Sequence, residues 1–453
     1  MKIVIAGVGE AGTELIRRLA NDGCDITVID SDPEQLEWVT DKFNVNGVNG
    51  SAASRQTLLS AGVDSADIFV ALTPWDETNL LSCMQAKSAG ALRTAARLQL
   101  SDLAAETDAI KKEYDIDCIV CPRVDLAEEI YRNIGLPGYI KHEGLFGNEV
   151  MIIDLSVLRG SPLAGMKLSA VRSEICKDML VGTVTRDGKI TIPDGSFVLQ
   201  VGDGLTITAS AETLEETLQS LGVYRAKTDR IVMVGCGISG EYLAKRLVDE
   251  GRQLTILESS LERCRMLMEK FPTVHVAYSE GEITSVLDEE HIDKAGALIS
   301  LTDSDETNLV ISMYAWSKQI PSVITRVDRL SHVRLLHKVN IDITASPTEL
   351  TIRKLLHFIR NGGNTASQDG MCYFVADGRA EVTEFTVKPD TQLVGVPLSD
   401  KTFRLKKGVI ISGIIRDGKL KIPGGSSRLE AGDRVVVTSA AERRIRTLED
   451  IFA

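Results

Sequence analysis

Along the first third of the chain, short apolar runs alternate with amphipathic stretches. Residues 3–6, 26–29, 68–72 and 116–120 are dominated by Ile, Val, Ala and Leu, whereas the segments opening at Glu10, Pro33, Asp76 and Ser101 space their apolar side chains at helical intervals. Strands that are apolar on both faces and separated by helices belong to a parallel sheet covered on both sides, because a solvated face would alternate with polar residues. The pattern predicts an α/β fold with a doubly wound, Rossmann-type parallel sheet over residues 1–140.

The pattern is then written a second time. Ile3, Gly7, Gly9, Gly12, Arg18, Gly23 and Phe43 reappear at a constant offset as Ile231, Gly235, Gly237, Gly240, Arg246, Gly251 and Phe271. After a slip of one residue, the Asp-Glu-Thr-Asn-Leu segment at 76–80 returns at 305–309. Each copy follows a Leu-Thr pair (Leu72, Thr73 and Leu301, Thr302), and Arg97 returns as Arg326. The duplication continues past the doubly wound part, since Arg-Asp-Gly-Lys at 186–189 recurs at 416–419 and Gly-Asp at 202 recurs at 432. Around these motifs, residues 181–192 and 410–422 read as hairpins turning at Asp187 and Gly188 and at Asp417 and Gly418, residue types that tolerate positive φ. Strands over 205–208 and 435–438 and a closing helix follow. The expected organisation is a doubly wound domain over 1–140, a small α+β domain over 141–224, a second doubly wound domain over 225–366 and a second small domain over 367–453. The joints fall near 141–148, 224–229 and the Gly/Asn/Ser-rich 361–370.

Composition narrows the function classes. The formal net charge of −13 opposes nucleic acid as a partner. No run reaches the roughly 18 apolar residues that span a bilayer, and the chain opens on a strand instead of a basic segment leading into an apolar one, so a cytosolic protein is expected. Eight cysteines in such a chain are expected as thiols. Cys118 and Cys121 form the CxxC pair, and their apolar surroundings favour a core role over zinc or thiol exchange. The six histidines (His142, His275, His291, His332, His337 and His357) show no metal or triad spacing. Residues 401–446 hold 12 Lys and Arg against 4 Asp and Glu, while the equivalent 171–216 hold 4 against 8. Lys406, Lys407, Arg443, Arg444 and Arg446 therefore form either a docking face for an anion or an ordinary solvated surface.

The chemistry concentrates in the glycine motifs. Gly7, Val8, Gly9, Glu10, Ala11 and Gly12 follow a strand and open a helix, and Asp30 ends the next strand, which is the context of a dinucleotide fingerprint. Gly7 suits a tight turn, Gly9 lets backbone amides approach a diphosphate at the positive end of the helix, and Gly12 lets helix and sheet pack closely. Asp30 would accept a ribose hydroxyl pair and repel a 2′-phosphate, favouring NAD(H) over NADP(H); a helix-capping role is the alternative. The second copy offers Gly235, Cys236, Gly237, Ile238, Ser239 and Gly240 with Glu258. Asp76 and Glu77 complement a helix dipole, Thr73 and Asn79 stand at a strand end where ligands of open sheets sit, and Arg97 reaches either a phosphate or a structural partner. Three readings remain open on these residues alone: a ligand-gated regulator, an NAD-dependent oxidoreductase, and a scaffold whose fingerprints bind nothing. No proton donor is placed for the enzyme.

The two glycine loops, Asp30, the Leu-Thr strand ends, the paired Asp-Glu-Thr-Asn segments, Arg97 and the small strand-rich domains resemble the RCK or KTN regulatory domains of potassium channels and transporters. Their doubled order is similar to that of the TrkA family, cytosolic subunits of Trk-type bacterial potassium uptake systems. The resemblance implies a homo-oligomer, a dimer or a tetramer ring, held on the inner face of the cell membrane by a TrkH-like potassium-conducting subunit. It implies that NAD(H) or ATP and ADP compete for the N-terminal fold. By position the nucleotide would touch Gly7 to Ala11, Asp30, Asn49, Gly50, Ser51, Thr73, Pro74 and Arg97, and in the second copy Gly235 to Gly240, Glu258, Ser279, Thr302 and Arg326. The sequence departs from the family pattern at Gln99, where many relatives carry a second arginine.

Overall fold

The computed structural model describes the chain except for residues 21–22, 100–105, 137–139, 147–148, 224–227, 280–282, 334–343, 363–371, 376–378, 441–444 and 446. The helix start at Ser101, residues 147–148, 224–227 and 363–370 of the three joints, His337 and Arg443, Arg444 and Arg446 lie outside the described residues, and the rest of the first joint is largely strand, Ile140–Leu145. In chain order, β1 (Lys2–Ala6), β2 (Asp25–Asp30), β3 (Asn46–Asn49), β4 (Ile68–Ala71), β5 (Arg93–Arg97) and β6 (Cys118–Val120) form a parallel sheet ordered β3-β2-β1-β4-β5-β6. Next, β7 (Ile140–Leu145), β8 (Val150–Ser156), β9 (Met179–Arg186), β10 (Lys189–Thr191) and β11 (Gly204–Ser210) form an antiparallel sheet ordered β10-β9-β11-β8-β7. The second half repeats both. Its parallel sheet runs β14-β13-β12-β15-β16-β17, from β12 (Arg230–Val234), β13 (Gln253–Glu258), β14 (His275–Tyr278), β15 (Ala297–Ser300), β16 (Ser322–Arg326) and β17 (Thr344–Ala345). Its antiparallel sheet runs β18-β19-β22-β20-β21, from β18 (Cys372–Val375), β19 (Ala380–Thr386), β20 (Val409–Arg416), β21 (Lys419–Lys421) and β22 (Arg434–Ala440). The fold class is therefore α/β with doubly wound parallel sheets and smaller strand-rich modules. Among the described residues no helix is long and apolar enough to cross a membrane.

The chain divides into two compact units: Met1–Ile134 with Thr228–Gly363, and Gly135–Lys227 with Asn364–Ala453. The first unit holds both parallel sheets, and the reason lies in two helices. Pro122–Asn133 carries Leu126, Ala127 and Ile130 on one face, and these side chains pack with Ile231, Met233, Leu243 and Leu247 of the second parallel-sheet fold. Reciprocally, Pro347–Gly362 places Ile352, Leu355, Leu356 and Ile359 against Ile3, Ile5, Leu15 and Val70 of the first. Each helix has an apolar stripe at the i, i+3, i+4 spacing, and each uses it on the other fold. Burying a Leu or Ile side chain stabilises by about 1.5–3 kcal/mol, so each sheet depends on a helix that sequence order assigns to its neighbour.

In the second unit, the repeated motifs have one structural explanation. Arg186 donates from Nε and Nη2 to both carboxylate oxygens of Asp203 at 2.7 Å, and Arg416 makes the same pair of 2.7 Å bonds to Asp433. The Arg-Asp-Gly-Lys turn and the Gly-Asp pair are thus the two ends of one clamp across each sheet. Asp187 (φ 50°) and Asp417 (φ 54°) take the left-handed conformation at the turns. The two small sheets share a core in which Leu145, Val150 and Ile152 meet Val375, Val382 and Val436. The first small domain closes with helix Leu214–Ser220; the described part of the corresponding stretch in the second is a 3-10 turn, Leu448–Ile451.

The exchange is testable residue by residue. Truncating Leu355 to Ala is expected to destabilise by about 2–5 kcal/mol, and native-state hydrogen exchange should show the loss of protection in β1 and β4, far away in sequence. Loss confined to β12–β16 would contradict the exchange.

Candidate nucleotide-binding site

The first crevice is built around three glycines with different duties. Gly7 has φ +98°, and a Cβ there would stand 2.8 Å from the Leu72 carbonyl and 2.9 Å from Thr73 N, so the loop touches the end of β4. A Cβ on Gly12 would lie 2.0 Å from Gly7 O, which ties helix Glu10–Leu19 closely to the turn. Gly9 is the contrast: nothing lies within 4 Å of a Cβ placed there. It is the N-cap of that helix and supplies no side-chain cap, leaving first-turn amides bare.

Asp30, at the end of β2, accepts Val8 N at 2.8 Å through Oδ2 and Asp32 N at 2.9 Å through Oδ1. Each oxygen retains a lone pair. The capping role that sequence left open for Asp30 falls to Asp32, which accepts from Glu34 N and Gln35 N. Asn49 Nδ2 and Gly50 N both donate to Asp30 O, at 3.1 and 2.9 Å, which sets the neighbouring loop, and Ser51 is exposed at its tip. On the other side stand exposed Pro74, half-buried Thr73 and Arg97. Arg97 Nη2 donates to Leu72 O and Thr73 O at 2.9 and 3.1 Å, while its buried Nε has no hydrogen-bond partner. Burial pushes the guanidinium pKa down, against the opposing pull of Asp76.

Two expectations change on this geometry. Asn79, expected beside a ligand, is fully buried and saturated: Oδ1 accepts Thr73 N and Oγ1, and Nδ2 donates to Thr73 O and Arg97 O. It clamps the ends of β4 and β5 together. Asp76, expected only as a dipole complement, is 4% exposed and receives Gln99 N on both oxygens at 2.8 and 2.9 Å, fixing the chain as it leaves β5. Asn308 and Asp305 repeat both clamps in the second fold.

The second crevice has the same frame and different charges. Gly237 caps helix Ile238–Asp249 with nothing within 4 Å of its Cβ direction, and Gly240 sits against Gly235 and Cys236 as Gly12 sits against Gly7. Ile238 and Ser239 open that helix. Glu258 takes the place of Asp30, accepting Cys236 N at 3.2 Å, Ser259 N at 2.9 Å and Ser260 N at 3.1 Å, while Ser260 caps the next helix. Ser279 is buried behind Glu258 and its N donates to Glu258 O. Thr302 repeats the bonds of Thr73 to its asparagine. Arg326 is bonded to Asp328 through Nε and Nη2, at 2.9 and 2.6 Å, and to Asp303 through Nη1 at 3.0 Å. Sequence reasoning missed these two aspartates, and it missed Arg263, which bonds Cys236 O and Glu241 in the position held by Gln35 in the first fold. The repeat alignment itself carried the signal, since Pro74 aligns with Asp303 and Gln99 with Asp328. It also missed a link between the folds: Leu330 N donates to Glu10 Oε1 at 3.1 Å.

The CxxC pair does not support thiol chemistry, although not quite for the expected reason. Cys118 lies in β6, but Cys121 is the N-cap of helix Pro122–Asn133, the position where a reactive thiol would be found. Burial decides against reactivity, raising Cys118 to about 11 and pushing Cys121 up as well. Both therefore stay protonated at pH 8. Because the folded values are raised, the stability from burying neutral thiols is fully present below about pH 8.5 and is lost as pH rises through the folded values. Iodoacetamide at pH 8 should leave both residues intact in the native protein and modify them once denaturant is added. Rapid native modification would refute the burial argument.

Paired glycine-loop crevices, each with an acidic residue at the next strand end and each followed by a small antiparallel module, define a tandem protein of nucleotide-binding type folds. The TrkA-N domain model matches residues 3–122 and 231–347, and the TrkA-C domain model matches 152–222 and 382–453. The chain belongs to the TrkA family. It is 32% identical over 452 residues to a Trk system potassium uptake protein TrkA homolog of Archaeoglobus fulgidus, covering 100% of both chains. It is 28% identical over 461 residues to the Trk system potassium uptake protein TrkA of Haemophilus influenzae, covering 100% of this chain and 98% of the relative. Among solved structures, the GsuK channel bound to NAD shares the fold with a TM-score of 0.62 at 18% identity, over 97% of this chain and 77% of the channel. The GsuK RCK domain gives the same score and identity over 97% and 92%.

The glycine geometry separates folding from binding. Gly7→Ala, at positive φ and against backbone, should cost about 1–3 kcal/mol of stability. Gly9→Ala should leave the melting temperature close to that of the unaltered protein, because its Cβ enters open space. Equal destabilisation by the two would show that Gly9 also faces packed atoms.

Proposed function

We propose that this chain is the nucleotide-responsive regulatory subunit of a membrane potassium uptake system, and that the crevice of its first fold takes NAD(H), ATP or ADP. The reading rests on one observation above all: helix Glu10–Leu19 begins with bare amides at Gly9, facing open space, beside a carboxylate that retains acceptor capacity. The donors suit such a ligand. Amides of Gly9, Glu10 and Ala11 would meet a diphosphate beside Val8, whose own amide is held by Asp30; Asp30 would take a ribose hydroxyl pair, and the loop Asn49, Gly50 and Ser51 the adenosine side. Arg97, half-buried beside Thr73 and Pro74, would supply its guanidinium charge to an anion there. The family's named role in potassium uptake, over the full length of the relatives, supplies the process that such binding would control.

Regulation requires no turnover. A ligand that contacts one arrangement of the crevice better than another shifts the balance by its differential affinity, with coupling of about 1–3 kcal/mol in typical cases. Under this reading the chain acts as a homo-oligomer on the inner face of the membrane, held there by a potassium-conducting partner.

Titration of the purified chain with NADH, ATP and ADP should give saturable binding that Asp30→Ala weakens by about tenfold or more, as expected for loss of a charged hydrogen-bond acceptor. Cells lacking the chain should show altered potassium uptake. Unaltered uptake, or no saturable binding, would remove the proposal. Steady oxidation of NADH with carbonyl substrates, abolished by Gly9→Asp, would replace it with an enzyme.

A further inference from the structure

The two crevices share their backbone frame down to the clamping asparagine; beside the glycine loop they differ at Arg263, which replaces Gln35 and is paired with Glu241, and beyond the threonine they differ in the charge of the wall. In the first fold the wall beyond Thr73 consists of Pro74, Arg97 and Gln99; in the second, beyond Thr302, it consists of Asp303, Arg326 and Asp328. Two neutral positions have become aspartates. Both lean on the arginine: Asp328 grips it in a two-bond fork and Asp303 takes its remaining terminal nitrogen. Arg97, by contrast, is held only by backbone carbonyls and keeps a buried, unpartnered Nε. Arg329, further along the same segment, is paired with Glu306 at 3.0 Å. At the three compared positions the charges therefore sum to one positive in the first crevice and one negative in the second, beside a buried aspartate common to both, Asp76 and Asp305.

The Leu72–Thr73 peptide fixes where that wall lies. It presses against Gly7 and its carbonyls also accept from the Arg97 guanidinium, so Arg97 stands next to the glycine loop, where a ligand whose diphosphate rests on that loop would meet it with whatever it carries next. A nucleoside triphosphate carries a further phosphate; a dinucleotide carries an uncharged ribose.

We propose that Asp303 and Asp328 make the second crevice a dinucleotide site that rejects nucleoside triphosphates, while the first crevice, with Arg97 free to bind an anion, accepts them. This rests on the nucleotide-binding reading above and assigns a different ligand class to each fold. The electrostatics agree: burial alone would lower the Arg326 pKa, yet Asp328 and Asp303 hold it raised, whereas Arg97 lacks any such fork and stays lowered.

The test uses the full chain, calorimetric stoichiometry with ATP and with NADH, and three variants. Wild type should bind ATP at one crevice per chain and NADH at two, with Gly237→Asp removing one NADH site and leaving the ATP site. The double variant Asp303→Asn, Asp328→Asn should gain a second ATP site, with thermal denaturation confirming that it folds. Gln99→Asp should weaken ATP at the first crevice by about tenfold, the scale of one unfavourable charge at close range, while changing NADH by less than about threefold. ATP filling both wild-type crevices with like affinity would overturn the proposal. So would a double variant that stays at one ATP site, or a Gln99→Asp variant that binds ATP normally. Failure of every nucleotide to bind wild type would sink the functional reading itself, a distinguishable result.

Discussion

A parallel sheet built from apolar strands must be covered on both faces, and in this protein neither fold covers its own sheet completely. The helices Pro122–Asn133 and Pro347–Gly362 are exchanged, each packing its Leu and Ile stripe into the other fold's core. This dependence makes the two glycine-loop folds one compact unit and gives the repeat a physical purpose. Arg18 on the first glycine-loop helix bonds Glu349 at 2.6 Å, and the same helix presents Glu10 to Leu330 N. The segment that leaves the second crevice at Arg326 and Asp328 thus reaches the opening turn of the first crevice's helix within a few residues.

On that shared frame, some features are invariant between the copies and some are not. The asparagine clamps, the buried aspartates that receive the amides after β5 and β16, and the acidic tether of each glycine loop recur with nearly the same bond lengths. They are structural devices that hold strand ends in register, the loop tether being longer in the second copy, 3.2 Å against 2.8 Å. The charged side chains on the crevice walls diverge: Pro74 and Gln99 in the first copy are Asp303 and Asp328 in the second. A duplicated fold can keep its folding determinants while its ligand preference drifts, because backbone clamps and wall charges occupy different residues.

Much of this was legible in the sequence, for identifiable reasons. Strands β1, β2 and β4 announced themselves because burial on both faces leaves little room for polar residues, whereas the central β5, Arg-Thr-Ala-Ala-Arg, shows no apolar run. The edge strand β3 did not, since Asn46, Gly47 and Asn49 are exposed and only Val48 is partly covered. The glycine loops and Asp30 were readable because backbone geometry restricts those positions to particular residue types. The exchange of helices was not, because an amphipathic stripe specifies that a face must be buried and is silent about the surface that buries it. Asn79 was misjudged on similar grounds: a polar residue at a strand end looks the same whether its partners are ligand atoms or the backbone of the next strand. Asp303 and Asp328 could have been found by comparing the copies position by position at the walls and not only at the glycines.

A regulatory site needs contacts that are worse without the ligand than with it, and the first crevice has one. Arg97 buries a guanidinium nitrogen that no protein atom satisfies, a situation that costs about 1–3 kcal/mol for a buried donor and more for a charged one. An anion arriving there would relieve that cost as well as forming its own bond, so the arrangement around β4 and β5 would be steadier occupied than empty. Arg326 has no such deficit, because Asp303 and Asp328 already complete it. A ligand in the second crevice would have to draw its binding energy from the glycine loop and Glu258 instead. Under the proposed reading the two copies would differ in what an occupant changes: an anion would complete the first wall, whereas Asp303 and Asp328 already complete the second.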